Sequence, residues 1–282
     1  VHPKLSNDVA TKLGARSLRM LLLSSAADGI ELSDTAPTEA FGQAESLTRR
    51  LRHILELYPE GPSIVSELVQ NADDAGATTV RVLVSRRRHG TSSLLGPKMA
   101  DWQGPCLYVY NDALFRPQDF KNLARIGQAS KLDRLATTGR FGLGFNAVYH
   151  FTDVPQFVSG EHLVMFDPHT AFVPGATATQ PGLKIRFAGS QLLRQFPDQF
   201  SPFLVFGCDM ENRFEGTLFR FPFRSRTAAE KSEIRQQAYD DDELLREFVL
   251  ELESWLSGGG LLFLRNVEKI EVYTDDGNAG SG

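Results

Sequence analysis

Glu67, Asn71 and Asp74 lie four and then three residues apart in Glu67-Leu-Val-Gln-Asn71-Ala-Asp-Asp74. On an α-helix, at about 100° per residue, these spacings gather the three side chains into an arc of roughly 60°. Ile64, Leu68, Ala72 and Ala75 fall on an adjacent arc, so the helix carries a polar stripe beside a buried one. Such a stripe suits a definite chemistry. One carboxylate can orient and deprotonate water, an amide oxygen can ligate a hard cation, and a second carboxylate can organise the surrounding shell. A solvated helix face has the same composition, and the three residues alone do not separate the two readings.

A second group of residues bears on anions. Gly139-Arg140-Phe141-Gly142-Leu143-Gly144-Phe145 runs directly into a helical stretch over Asn146 to His150. Glycines ahead of a helix let backbone N–H groups approach a negatively charged ligand, and phosphate is the natural one. A tight turn needing left-handed backbone would use the same string. Gly142-x-Gly144-x-x-Ala147 also satisfies a dinucleotide fingerprint, but that reading requires a buried strand immediately before the glycines, and Asp133 to Arg140 is polar. The P-loop string is missing, which excludes that nucleotide fold. The histidines show no His-x-x-x-His spacing and no Gly-x-Ser-x-Gly elbow is present, so we read the histidines, Trp102 and Trp255 as structural.

The elements that must position these groups follow from periodicity. Leu47, Leu51, Ile54, Leu55 and Tyr58 predict an amphipathic helix from Gln43 to Tyr58, stopped by Pro59-Glu60-Gly61-Pro62. The helix bearing Glu67 and Asn71 starts at Ser63 and ends at Gly76. Strands are expected over Thr79–Ser85 and Cys106–Tyr110, then a helix from Pro117 toward Ile126. Further strands are expected over Gln156–Ser159, His162–Asp167, Leu183–Phe187 and Thr217–Phe223, then a helix over Ala229–Leu256 and strands over Leu261–Leu264 and Lys269–Tyr273. Helices gather early and strands late, an α+β pattern with no βα unit at a fixed period.

Composition narrows the classes. The 282 residues suffice for one core of about 200–250 residues. A net charge of −5 leaves no basic excess to neutralise a nucleic acid, and no apolar run is long enough for a signal-peptide core or a membrane span. Two cysteines, Cys106 and Cys208, are too few for a disulfide framework or an all-cysteine zinc site. A reducing cytoplasmic setting is therefore expected, with neither nucleic acid nor membrane as partner. Starting at Val and ending in Gly-Asn-Ala-Gly-Ser-Gly, the chain reads as a piece of something longer. We divide it into a connector over 1–40, a folded domain over 41–275 and a flexible tail over 276–282.

The Glu67 to Asp74 string resembles the N-box of the Hsp90, gyrase, MutL and histidine-kinase (GHKL) ATPases, and Gly139 to Phe145 resembles their phosphate-binding glycine box. Beyond both boxes, Phe41-Gly-Gln, Tyr58-Pro-Glu-Gly61, Gln70-Asn-Ala-Asp-Asp-Ala-Gly76, Gly144-Phe-Asn-Ala-Val-Tyr-His-Phe-Thr-Asp153, Phe166-Asp-Pro-His169 and Phe219-Arg-Phe-Pro222 are similar to the repeated region of the sacsin-like family. The resemblance implies a Bergerat, Hsp90 N-terminal-like fold: a two-layer α/β sandwich with a mixed, mainly antiparallel sheet and helices on one face. It implies ATP and Mg²⁺ as cofactors, neighbouring domains of a larger chain, and chaperone clients or co-chaperones as partners. Glu67 would be the general base, Asn71 the Mg²⁺ ligand and Asp74 part of its shell. Asn122 would lie near sugar and phosphates, Gly139, Gly142 and Gly144 at the phosphates with Phe145 beside them, and Thr217 at the pocket floor near adenine.

The chain departs from that pattern at the base. Where the ATPases carry Asp-x-Gly-x-Gly at a strand end, this sequence has Tyr110-Asn111-Asp112-Ala-Leu-Phe115. Strand register favours Asn111 for the adenine-binding position, with Asp112 the alternative. The lid region between Arg125 and Gly139 is short, and Lys131 or Arg140 would take the place of the family's lid lysine. The cation that completes the phosphate site would come from a following domain, so hydrolysis by this piece alone is expected to be weak or partner-dependent. Two other readings stay open: a nucleotide-free interaction module retaining the fold, and a histidine kinase, MutL or gyrase-type ATPase.

Overall fold

The computed structural model describes residues 45–57, 60–61, 63–125, 144–239, 241–259, 262 and 264–277. The connector over 1–40 and residues Lys131, Gly139, Arg140 and Gly142 lie outside the described residues.

Seven strands form one sheet among the described residues: β1 (Thr79–Ser85), β2 (Cys106–Asn111), β3 (Gln156–Gly160), β4 (His162–Phe166), β5 (Gly182–Arg186), β6 (Phe214–Pro222) and β7 (Lys269–Asp275). Their order is β5-β4-β3-β6-β2-β1-β7. Every adjacent pair is antiparallel except β1 and β7, which run parallel. The α+β class and the mixed, mainly antiparallel sheet are as the sequence implies.

Strand alternation divides the side chains between two cores. Val80, Val82 and Val84 of β1, Leu107 and Val109 of β2, and Phe219 and Phe221 of β6 face a helical layer. That layer contains α1 (Leu47–Leu57), α2 (Ser63–Asp74) and a 3₁₀ segment over Gly144–His150. Leu51, Leu55, Ile64, Leu68, Val69 and Ala72 supply its buried stripe. Ala75, expected on that stripe, is exposed, because the helix has already ended at Asp74. Helix α3 (Pro117–Arg125) adds Phe120 and Leu123. On the opposite face, Cys106, Tyr108, Val158 and Leu218 meet Met99, Trp102, Phe200 and Phe203. These come from short helical segments, a 3₁₀ segment over Pro97–Trp102, the four-residue helix α5 (Pro197–Phe200) and a 3₁₀ turn over Ser201–Phe203, with the four-residue helix α4 (Leu192–Gln195) packed alongside.

The single helix expected over Ala229–Leu256 is two: α6 (Arg226–Lys231) and α7 (Asp242–Ser257). Ser225 caps the first by accepting from the Ala228 N–H, and Asp241 caps the second by accepting from Glu243 and Leu244. Between them Ser232 accepts the Ile234 and Arg235 N–H groups, which ends helical bonding and turns Ile234 into the core. The strand expected over Leu261–Leu264 is not formed at its described positions: Leu262 lies in a turn and Leu264 in no regular element.

Candidate functional site

Helix α2 carries the polar stripe, and its end is firmly set. Gly76 takes a φ of +81°, and the Ala77 N–H donates to the Ala72 carbonyl at 3.0 Å. This left-handed close suits glycine, which has no Cβ to clash. Asp73, on the buried arc, fastens the helix to the chain leading into β7. Its carboxylate accepts the N–H groups of Arg265, Asn266 and Val267 at 2.6–3.0 Å, and Asn266 Nδ2 donates to its carbonyl at 2.8 Å. Burial pushes the carboxyl pKa up, but these N–H groups and the nearby Arg265 charge together outweigh it and hold the pKa below the usual carboxylate range.

The 144–150 segment is wholly buried and packs on α1 and α2. Arg224, also fully buried, ties down its far end. The guanidinium donates to the Tyr149 and His150 carbonyls at 2.9 Å each and pairs through Nε with Asp153 Oδ1 at 3.0 Å. Nη2 also engages that carboxylate. A segment held in this way brings Gly144 against the Glu67 side chain. A Cβ built on Gly144 would fall on the Glu67 carboxylate, 3.1 Å from its carboxyl carbon. Only glycine lets backbone and carboxylate approach so closely.

One helical turn along, Asn71 Oδ1 is buried and has no hydrogen-bond partner among the described residues. A buried, unsatisfied amide oxygen is costly unless something ligates it. A hard cation suits that oxygen, and the carboxylate of Glu67 shares the same helix face. The structure therefore brings Glu67, Asn71 and Gly144 together.

The other expected residues are placed as follows. Asn111 and Thr217 are register partners on β2 and β6, and Ser159 of β3 pairs with Thr217 on its other side. All three lie on the helical face, each two residues from one of its core side chains, Val109, Phe219 and Phe157 respectively. Thr217 donates to the Ala113 carbonyl at 2.7 Å and bonds Ser159 at 2.9 Å, while Asn111 Oδ1 accepts the Ala113 N–H at 3.1 Å. Asp112 is exposed and accepts from the Thr78 hydroxyl and from the Thr78 and Thr79 N–H groups. Of the two base-reading candidates, Asp112 is thus engaged in holding the start of β1. Asn122 is exposed on α3, where it accepts from Gln118 at 2.8 Å. Asp74 is exposed at the end of α2. Phe145 packs among Phe166, Phe219 and Phe221 as a core residue.

Two residues escaped the sequence reading. Asp73 stands four residues beyond Val69 and eight beyond Val65 on the buried arc, where a carboxylate must find donors. Ser159 is visible only once the register of β3 on β6 is known. A cavity of about 290 Å³ exists elsewhere, lined in part by Arg88, Asp101, Phe223 and Arg226, and shares no residue with the α2 site. The unsatisfied oxygen and the carboxylate both lie on α2, away from that cavity. Among the described residues no three His, Cys, Asp or Glu side chains form a metal cluster, and no helix is long and apolar enough to cross a membrane.

A family model described as the Sacsin domain matches residues 44–281. Sacsin of Homo sapiens is 36% identical over 282 residues, covering 99% of this chain and 6% of that protein. The chain thus spans about 6% of the length of this relative.

Proposed function

The chain belongs to the sacsin family, and from that membership and the geometry of α2 we propose that it is an Hsp90-like, Mg-ATP-binding domain working inside a large chaperone-type protein of the cytoplasm. The observation that carries this reading is the buried, unpartnered Asn71 Oδ1 one turn from a carboxylate packed on Gly144. Both fit the groups they are asked to hold. Magnesium takes few side-chain oxygens and fills the rest of its shell with phosphate and water, so a single amide oxygen in the right place suffices. When bound, Mg²⁺ would withdraw negative charge from the phosphates.

The chain's own residues do the rest. Asn71 would hold the cation through Oδ1. Glu67, on the same face, would hold a water by one of its protons and take that proton as the water oxygen bonds to the terminal phosphorus of ATP and the bond from that phosphorus to ADP breaks, giving ADP and phosphate. Gly144 keeps side chains out of the space between backbone and carboxylate. Asn111 and Thr217, side by side on the same sheet face, mark the base end. Turnover is weak until a neighbouring segment supplies a cation at the phosphates, and nucleotide binding biases a conformational state that clients or co-chaperones read.

A second reading is favoured by one observation. The polar atoms at the base end are satisfied internally through Ala113, which suits a nucleotide-free interaction module that keeps the fold. The unfolding midpoint separates the two. If the pocket works, ATP with Mg²⁺ raises the midpoint, EDTA abolishes the rise, and Glu67→Gln retains it. A midpoint indifferent to millimolar Mg-ATP would leave the interaction module as the answer.

A further inference from the structure

On the sheet face opposite α2, β6 buries a second arginine. Arg220 is 0% exposed. Nη2 donates to the Trp102 carbonyl at 2.9 Å and Nη1 to Gln156 Oε1 at 3.4 Å, but Nε–H has no acceptor. No carboxylate among the described residues pairs with it, in contrast to Arg224 and Asp153. The Cys106 thiol and the Tyr108 hydroxyl of β2 lie within hydrogen-bond reach of the guanidinium, but burial keeps both protonated, so they supply no negative charge. The Phe203 ring, 6.0 Å from the guanidinium carbon, is its aromatic neighbour.

Around this cation other buried polar atoms have no partner. Gln156 Nε2 belongs to the very amide whose oxygen Arg220 engages, and it has no partner. Trp102 Nε1 and Gln103 Nε2 are further buried donors without a partner, and the Gln103 Oε1 acceptor is unpartnered too. His89, whose N–H donates to the Gln103 carbonyl at 2.8 Å, also has an unpartnered Nε2. Burial, and then the charge of Arg220, bring its imidazole down to about 4, so His89 is neutral at neutral pH. Water among these groups would satisfy donors but leave the buried charge unbalanced. The cavity of about 290 Å³ is lined by Ala100, Asp101, Gly104 and Pro105, which flank Trp102 and Gln103, with Arg88 and Arg226 at its wall. The cavity thus lies beside the segment that carries Trp102 and Gln103, while Arg220 and Gln156 are not part of its lining.

We propose that Arg220, Gln156, Trp102 and Gln103 form a buried binding site for one monovalent, halide-sized anion, with chloride as the natural occupant. The site does not depend on the α2 reading, because it lies on the other face of the sheet and uses none of those residues. Crystals of the 282-residue chain grown in bromide test it directly. An anomalous difference peak within hydrogen-bond reach of Arg220 Nε is the expected result. Ordered water at that point, with bromide at the protein surface only, overturns the proposal. In solution, the unfolding midpoint of the wild type should climb as chloride replaces a bulky organic anion at fixed ionic strength, and Arg220→Met should lose that dependence. Equal chloride slopes in both proteins contradict the site. Should Arg220→Met fail to fold, Gln156→Leu and the wild-type bromide map still decide it.

Discussion

Two polar groups two residues apart on α2 are treated in opposite ways. The Asp73 carboxylate receives three backbone N–H groups, whereas Asn71 Oδ1, equally hidden from solvent, receives none. The two wholly buried arginines repeat the contrast: Arg224 has Asp153 and two carbonyls at 2.9 Å, and Arg220 has no carboxylate. Since buried polar groups are nearly always satisfied, the satisfied members of these pairs hold the fold. We propose that the unsatisfied members, Asn71 and Arg220, are where something other than the chain binds.

The largest effect that would test this contrast is at Arg224. Arg224→Met strands the Asp153 charge in the core and should cost about 3–5 kcal/mol in denaturant unfolding. Arg220→Met, which strands no carboxylate, should cost clearly less in chloride-free buffer. Equal costs would erase the distinction between the two arginines.

Next comes the clasp. Asp73→Ala orphans three N–H groups and should cost about 2–3 kcal/mol by the same measurement. It also carries a pH signature. The folded carboxyl pKa lies below the ordinary value of about 3.9, so its stabilisation is complete above that value and disappears as pH falls through the lower, folded one. Asp73→Asn should flatten that acid limb of the stability curve relative to wild type.

A smaller effect on stability, but a sharp one on chemistry, is expected at Gly144. The new methyl of Gly144→Ala meets the far end of a flexible side chain, so unfolding should change by less than about 1 kcal/mol. The displaced Glu67 carboxylate should nevertheless lose hydrolysis, assayed with partner segments present, while nucleotide binding persists. Unchanged turnover would remove Glu67 from the mechanism.

These contrasts also explain what the sequence could reveal. The Thr79–Ser85 strand was legible to its ends because β-branched residues alternate cleanly there, and α2 because glycine and serine bound a regular apolar repeat. The break between α6 and α7 was not legible, since Ser232 and Asp241 act through local hydrogen bonds that compete with helix only once Ile234 is drawn inward. For the site, type and spacing selected Glu67, Asn71 and Gly144, but not which carboxylate at the end of α2 is buried. Asp73 and Asp74 are identical in type, and only packing against Arg265–Val267 distinguishes them. Neither the pairing of Asn111 with Thr217 nor the missing counter-ion of Arg220 is a local property, as each depends on strand register.

The most direct measurement is calorimetric titration of ATP with Mg²⁺ into the chain and into Asn71→Ala. Because Asn71 Oδ1 has no partner to lose, the variant should unfold within about 0.5 kcal/mol of wild type. Saturable one-to-one heat from the wild type and none from the variant is the result the account predicts. A flat titration for the wild type, or superimposable isotherms for the two proteins, would contradict it.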